Sequence, residues 1–408
     1  MLYSNYKRKY PNDVVVFIEE FNRNEDSVVF DFFDSNEHLL FKGQDLSDSH
    51  NGTNGSMVKL LNYRKRSVLE NTYYAIKNDV IQNWRQNNLV KPEEDSFLFE
   101  NFIDLHEIKD INSDEIFSES ITFGFDFFYG NNYMYGKRDI NEIDFDLKGQ
   151  LKVAVRNVGQ GNWNEIISDD RCKIVYDAGA PMNANKSGIR QIIGNRGNEY
   201  IESNPGLIIS HWDKDHYHSL LGMTDVELSS FSYVMFRDQV PNETSRRLYS
   251  RLRNLIGTNN MYSIPSRLKV NKKDPTYLYP LNSSSNQLVV YNSDEHKNRN
   301  ISGLYLSLKT GKSSVIFSAD AHYDQISRDI LPSLNYTHQH NLIVPHHGGH
   351  AGKFIYSKPF NVNFNIAVIS VGITSYRHPT PSNENMLKLN FKSVIQTKFK
   401  PNDIIIPL

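Results

Sequence analysis

The run Ile209-Ser210-His211-Trp212-Asp213-Lys214-Asp215-His216 sets two imidazoles and two carboxylates on one short turn behind the apolar segment Pro205-Gly206-Leu207-Ile208-Ile209. Imidazole nitrogen and carboxylate oxygen together suit a divalent ion such as zinc, manganese or iron. A histidine and an aspartate two residues apart, on a loop leaving a strand, can converge on one ion, which groups His211 with Asp213. Asp215 and His216 then reach toward a second, at the roughly 3.5–4 Å spacing at which paired metals share a hydroxide. A solvated charged turn would use the same residue types. What separates the two is whether other segments bring ligands of their own.

Other segments do. In Asn341-Leu342-Ile343-Val344-Pro345-His346-His347-Gly348-Gly349-His350 an apolar run ends in adjacent histidines, and paired glycines allow a tight turn beside whatever the imidazoles hold. Ser314-Val315-Ile316-Phe317 reads as a buried strand leading to Ser318-Ala319-Asp320. A carboxylate buried there needs a cation or hydrogen-bond donors. A further strand, Ile366–Val371, is followed by His378-Pro379, where His378 is either a substrate-contacting group or an exposed loop histidine.

On these motifs the chain is similar to the metallo-β-lactamase-fold hydrolase superfamily, and most resembles the soluble metal-binding domain of the ComEC-like competence proteins. The matches run in order: Val158-Gly159-Gln160-Gly161-Asn162, His211-x-Asp213-x-Asp215-His216, Ser318-Ala319-Asp320, Val344-Pro345-His346-His347-Gly348, and Ser370-Val371-Gly372 running to His378-Pro379. They cover roughly residues 150 to 408. The resemblance implies an α/β fold, a four-layered αββα sandwich, preceded here by a small α+β accessory domain. It implies two divalent ions, zinc or manganese: His211 and Asp213 on the first, Asp215 and His216 on the second, Asp320 bridging and His346 completing the second site. His347 is a ligand or a proton-transfer group, and Asp215 also steadies the reacting geometry. Asp177-Ala178-Gly179 resembles a segment that supports the site rather than binding metal.

The departures from the pattern fall on metal occupancy more than on fold. Asn157 stands where the subgroup commonly has aspartate, and Ala319 where glycine is usual. Tyr217-His218-Ser219-Leu220 replaces the glycines after the aspartate–histidine pair, so His218 is a spare ligand or a surface histidine at a helix start. The superfamily's further histidine before the bridging aspartate has only His296 and the polar stretch Asn300-Ile301-Ser302 nearby, which implies that one ion is weakly held.

With 408 residues the chain exceeds the size at which one core usually keeps growing, so two domains are expected: 1–150, an acidic accessory domain, and 151–408, the metal-binding domain. A 39% apolar and 12% aromatic content supports folded cores. The single cysteine, Cys172, excludes an internal disulfide and a thiolate-rich site, and its place in Cys172–Tyr176 is that of a buried strand residue. No apolar run approaches membrane-spanning length and the N-terminus lacks a signal peptide's core, so the chain reads as soluble and cytoplasmic, without stable membrane insertion. DNA uptake is not implied, since the full competence protein carries its similar domain on a membrane channel.

Residues 1 to 150 hold 27 acidic and 16 basic residues, a net of −11, leaving +9 of the total −2 for residues 151 to 408. Within the basic part, Arg237, Arg246, Arg247, Arg251, Arg253, Arg267, Lys269, Lys272 and Lys273 are countered up to position 273 only by Asp238 and Glu243. Thr244 to Ile256 reads as an amphipathic helix, with Leu248, Leu252, Leu255 and Ile256 toward one face. Guanidinium groups grip phosphate bidentately, so Arg246, Arg247, Arg251 and Arg253 are candidates to guide DNA or RNA to the metals. A solvated helix answering the acidic domain is the other reading.

In the accessory domain, Val14–Ile18 and Val28–Phe32 read as strands, and Leu69, Tyr73, Ile76, Val80 and Trp84 recur at helical spacing. Residues 121 to 150, rich in tyrosine, phenylalanine, asparagine and glycine and including Phe127–Tyr133, are a domain-packing segment, a lid or a base-stacking surface. Of the histidines His38, His50 and His106, the Asp48-Ser49-His50 pair lies in a polar turn without a strand to deliver it. The domain is expected to select or present a substrate or an unidentified protein partner, or to gate the basic segment by charge. The function read from these residues is metal-dependent hydrolysis, foremost of a phosphodiester in DNA or RNA. The alternatives are a small phosphodiester, ester or amide, and a non-catalytic metal-stabilised binding module.

Overall fold

The computed structural model of the protein describes residues 3–44, 55–63, 68–105, 116–121 and 140–408, apart from 141, 142, 144, 146, 270, 272, 284, 285, 297, 335–338, 355–362 and 373–377. Asp48-Ser49-His50, His106, Phe127–Tyr133 and Lys272 lie outside the described residues. The chain is a mixed α/β protein, divided into two compact units, with three seven-stranded sheets among the described residues. Unit 1 comprises Met1–Met134, Asn185–Ser187 and Gln239–Arg251; unit 2 comprises Tyr135–Ala184, Gly188–Asp238 and Leu252–Leu408. Among the described residues no helix is long and apolar enough to cross a membrane.

Unit 1 is built on one sheet of β1 (Val14–Asn22), β2 (Ser27–Phe32), β3 (Met57–Leu61), β4 (Thr72–Ile76), β5 (Val90–Pro92), β6 (Phe99–Asp104) and β7 (Phe117–Ile121), in the order β5-β6-β3-β2-β1-β4-β7. Strand side chains alternate between faces. Val14, Val16 and Ile18 join one apolar cluster while Val15 and Phe17 join another, so the Val14–Ile18 part of β1 is apolar throughout because both its faces are covered. The helical stripe from Leu69 to Trp84 is not one helix: Tyr73 and Ile76 belong to β4, Val80 and Trp84 to the helix Asn78–Gln86, and Leu69 is 66% exposed. Thr72–Ile76 is aromatic and β-branched enough to pair with β1, and Lys77 in extended backbone breaks the run. The helical spacing arises by chance across two elements.

Unit 2 carries two sheets. The first runs β8 (Leu151–Val155), β9 (Trp163–Ser168), β10 (Arg171–Ala178), β11 (Gly206–Ile209), β12 (Tyr233–Arg237) and β13 (Met261–Ile264), with the last strand of the chain, Ile404–Pro407, added beside β8. The second runs in unbroken sequence order through β14 (Leu278–Pro280), β15 (Leu288–Ser293), β16 (Leu304–Lys309), β17 (Ser313–Phe317), β18 (Gln339–Ile343), β19 (Asn363–Ile369) and β20 (Ser393–Gln396). Each sheet has an antiparallel half that turns parallel, at β10–β11 in the first and β17–β18 in the second. Parallel strands buried on both faces read as continuous apolar runs, as Leu207-Ile208-Ile209 and Val315-Ile316-Phe317 do. Both sheets contribute to one core, in which the Tyr176 ring meets Phe317 at 5.5 Å and its hydroxyl donates to the Leu304 carbonyl at 2.8 Å. Cys172 is buried in β10, as its strand-like surroundings predict.

In open α/β sheets, ligand sites form beyond the carboxyl ends of parallel strands. Here Asp177 sits at the carboxyl end of β10, and the loops leaving β11, β17, β18 and β19 carry the His211–His216 turn, Asp320, His346-His347 and Ser370.

Candidate metal centre

The helix Lys214–Gly222 starts directly behind the turn from β11, with Asp213 at its N-cap position and Asp215 in its first turn. Its seat is set by Gly179, where a Cβ would stand 1.7 Å from the Asp215 carbonyl oxygen; only glycine admits that approach. The Asn162 amide closes on the same carbonyl at 2.9 Å. Across the site, the His346 amide donates to the Ala319 carbonyl at 3.0 Å, joining the loops from β17 and β18. Ala319, His346 and His347 all hold φ between 41° and 52°, a left-handed conformation that non-glycine residues adopt at a cost of about 1–2 kcal/mol each.

The ring nitrogens sort the histidines. Ser210 Oγ donates its one proton to Asp177 Oδ2 at 2.8 Å, so His211 Nδ1, 3.0 Å from the same oxygen, is the donor of that pair. His216 Nδ1 lies 2.8 Å from Asp177 Oδ2, and His347 Nδ1 lies 2.6 Å from the Ser370 carbonyl, which can only accept. Three imidazoles therefore have Nδ1–H pinned from outside, and each presents Nε2 inward, the arrangement that fixes tautomer and orientation in metal-ligating histidines. The Nε2 atoms of His211 and His216 are buried without a hydrogen-bond partner.

Those nitrogens face carboxylates. His216 Nε2 is 3.3 Å from Asp320 Oδ1, His211 Nε2 is 3.4 Å from Asp213 Oδ2 and 3.9 Å from Asp320 Oδ2, and His347 Nε2 is 3.0 Å from Asp215 Oδ2. A neutral Nε2 lone pair and a carboxylate oxygen are both acceptors, so each facing pair calls for a cation between, a proton or a metal. Among the described residues, two trios have donor atoms close enough to share an ion: His211, His216 and Asp320, and Asp215, His216 and His347. These donors fit a divalent ion. The structure brings His347, not His346, to the trio with Asp215 and His216. His346 instead places Nδ1 2.7 Å from Asp320 Oδ2, with Asn300 Nδ2 at 3.3 Å.

The electrostatics follow from this packing. Burial works against ionised carboxylates, yet Arg299 and His211 hold Asp213, and His347 and His216 hold Asp215, well below the usual range. Asp320 is likewise held low against burial by His346 and His216. Burial opposes a charged His216, but Asp177 and Asp320 raise its pKa well above normal; His346, opposed by burial and favoured by Asp320, is raised to about 9. The raised His216 and His346 both face Asp320, so a proton on either offsets that carboxylate's charge.

Asp177 belongs to neither trio and is held by protein donors instead. Fully buried, it accepts from the Ser210 amide, the Ser210 hydroxyl, Asn162 and His216. His378 reaches the site, its ring 5.6 Å from that of His346, and burial together with His346 and His347 lowers its pKa to about 4. Gly348, at φ 76° with a Cβ position only 2.5 Å from Pro379, lets that loop close. His218 is not a surface residue: it is buried on the helix with Nδ1 3.0 Å from the Pro181 carbonyl, burial lowers its pKa to about 4, and it belongs to neither trio. His296 binds its own loop through Nδ1, which accepts from the Asn298 amide at 3.0 Å.

The arginine candidates have other partners. Helix Glu243–Ile256 forms as its periodicity predicts, with Leu248 and Leu252 buried, but Gln239–Arg251 belongs to unit 1. Arg246 donates to the Phe33 carbonyl and covers the Phe33 ring at 4.7 Å; Arg247 pairs with Glu243 at 2.9 Å and meets His38 Nδ1 at 2.9 Å. The Thr244 amide is held by buried Asp31 at 3.0 Å. Arg253 donates to the Thr258 hydroxyl at 3.3 Å, and Arg251 is half-buried. Sequence reasoning missed a cation that does reach the cluster: Arg299, buried in unit 2, with Nη2 2.8 Å from Asp213 Oδ1 and Nη1 donating to the Trp212 carbonyl at 2.9 Å. An arginine between two polar loop residues carries no local signal of such a role.

No family model and no curated protein matches this chain.

Proposed function

We propose that this chain is a metal-dependent hydrolase whose unit 2 has the αββα metallo-β-lactamase architecture, acting on a phosphodiester. The observation that carries the reading is that three histidine Nε2 atoms, each with an outside partner on Nδ1, face carboxylates: His211 faces Asp213 and Asp320, His216 faces Asp320, and His347 faces Asp215. His211, Asp213 and Asp320 would hold one ion and Asp215, His216, His347 and Asp320 another. Zinc or manganese bound there would lower the pKa of water at the site and stabilise charge developing on an electrophilic phosphorus. The carboxylate share of the donor set makes manganese a competitor to zinc.

The protein's own groups supply positioning. Asp177 and Ser210 hold two imidazoles in one tautomer, and the Ser370 carbonyl does the same for His347. His346, 30% exposed at its side chain and bonded to Asp320, is placed to pass a proton between the site and solvent. Since Arg246 and Arg247 are engaged within unit 1, the support for a nucleic-acid track is weaker than the sequence suggests, and a small phosphodiester becomes the second reading. Elemental analysis of protein purified without added metal, then turnover of bis(p-nitrophenyl) phosphate and of short DNA and RNA strands with each ion restored, tests the proposal. Bound or restorable zinc or manganese with phosphodiester cleavage is the expected result. A protein that neither binds nor responds to any divalent ion overturns it, while metal binding without turnover of any phosphodiester favours a binding module.

A further inference from the structure

Only one lone pair serves both trios. His216 Nδ1 is committed to Asp177, so Nε2 alone can bind, and an ion can take it at one position only. When it goes with Asp215 and His347, whose Oδ2 and Nε2 lie 3.0 Å apart, Asp320 Oδ1 at 3.3 Å from His216 Nε2 supplies a fourth protein donor. The other position keeps His211 Nε2, Asp213 Oδ2 and the second oxygen of Asp320. There a fixed positive charge already stands: Arg299 Nη2 is 2.8 Å from Asp213 Oδ1, and its second nitrogen is anchored on the Trp212 carbonyl.

Resting on the metal-centre reading above, we infer that Arg299 is a built-in cation that makes the centre unequal: one ion is held tightly by Asp215, His216, His347 and Asp320, and the position of His211 and Asp213 is held open, taking a second ion only weakly. The physical reason is charge. A guanidinium that neutralises Asp213 withdraws the carboxylate's attraction for a metal, and it repels a dication arriving at the other oxygen of the same group. It is buried, so solvent screens the repulsion little. Arginine does not lose its proton under any condition in which the protein is folded, so the bias is permanent. His211 is left as an imidazole whose Nε2 awaits the second ion.

Manganese titration of the metal-free protein, followed by electron paramagnetic resonance and calorimetry, reads this without any assay of activity. The intact protein should bind one manganese tightly, with the signal of an isolated ion, and a second about 10–100-fold more weakly, the range over which neighbouring groups tune metal affinity. Arg299→Met should tighten the second ion toward the first and give a coupled two-ion spectrum at stoichiometric metal; Arg299→Lys, which keeps a charge, should stay close to the parent. Two ions of equal affinity in the intact protein overturn the inference and leave the metal-centre reading standing, whereas no binding at all removes both. Should Arg299→Met fail to fold, Asp213→Asn and Asp215→Asn decide. The inference requires the tight ion to survive the first and be lost in the second; loss of the tight ion in Asp213→Asn overturns it.

Discussion

In the first sheet of unit 2 the strand that turns from antiparallel to parallel pairing, β10, carries Asp177 at its carboxyl end; in the second sheet the equivalent strand, β17, leads into Asp320. Both carboxylates stand beside left-handed backbone, at Asp177 itself (φ 57°), where the β9–β10 register shifts, and at Ala319 (φ 41°). Both carboxylates are buried. Their surroundings differ in kind: Asp177 receives an amide, a hydroxyl, a carboxamide and an imidazole N–H, whereas Asp320 faces the inward nitrogens of His211 and His216 beside the Nδ1 of His346. A buried carboxylate ringed by protein donors is already satisfied. One facing lone pairs is not, and only a cation completes it. The same topological position thus yields a carboxylate satisfied by protein donors in one half and a candidate ligand in the other.

Exchanging the two carboxylates for amides breaks the comparison most directly. Asp320→Asn should abolish metal binding at stoichiometric concentrations and lower turnover by more than about 100-fold, beyond what loss of an outer partner causes. Asp177→Asn, measured in the same titration, should keep the ion but weaken it by about 10–100-fold. Equal losses in the two variants would show that the halves are not divided as described.

The paired histidines sharpen it next. His347→Ala should lose the tight ion, while His346→Ala should retain it and reduce turnover by about tenfold or more through the proton path. Metal affinity by calorimetry and turnover at saturating metal separate the two effects. The reverse assignment would return His346 to the ligand set.

A smaller effect is the pH dependence of the metal-free protein. His346 is raised from an ordinary value near 6.5 to about 9, against burial and by Asp320, so its pairing contributes stability that is fully present below pH 6.5 and lost as pH rises through about 9. Denaturant unfolding should show a loss of about 1–3 kcal/mol over that window. Asp320→Asn should flatten it, and so should saturating metal if the metal displaces that proton.

Least of all, Ala319→Gly should stabilise the fold by about 0.5–1 kcal/mol, because glycine tolerates φ 41° without a Cβ penalty. No change in the unfolding midpoint would mean that the backbone at this turn carries no strain.

Much of the site is legible in the order of residues along the chain. His211, Asp213, Asp215, His216 and Asp320 stand out because each follows an apolar run with no reason of its own to end in a metal-binding side chain. The distinction between His346 and His347 is not legible there. Adjacent residues in a left-handed turn point different ring atoms at different partners, and sequence carries no tautomer. His218 misleads for a related reason: three positions past Asp215 on a helix buried along almost its whole length, a histidine is buried whatever its polarity suggests. The Leu69–Trp84 stripe fails as a helix because a period of three and four residues can straddle a strand and the helix behind it.

By itself the sequence determined which residues could carry chemistry, since ligand type, and the apolar runs that deliver it, are properties of local order along the chain. The α/β class came from the family resemblance that the ordered motifs carry, and the sheets observed agree with that coarse class. Tertiary structure alone decided which aspartate is satisfied and which is not, that Arg246 and Arg247 turn into unit 1, and that Arg299 stands on Asp213. Those are facts of distance between segments far apart in the chain. Charge interactions fall with separation in space, and separation along the chain does not record it.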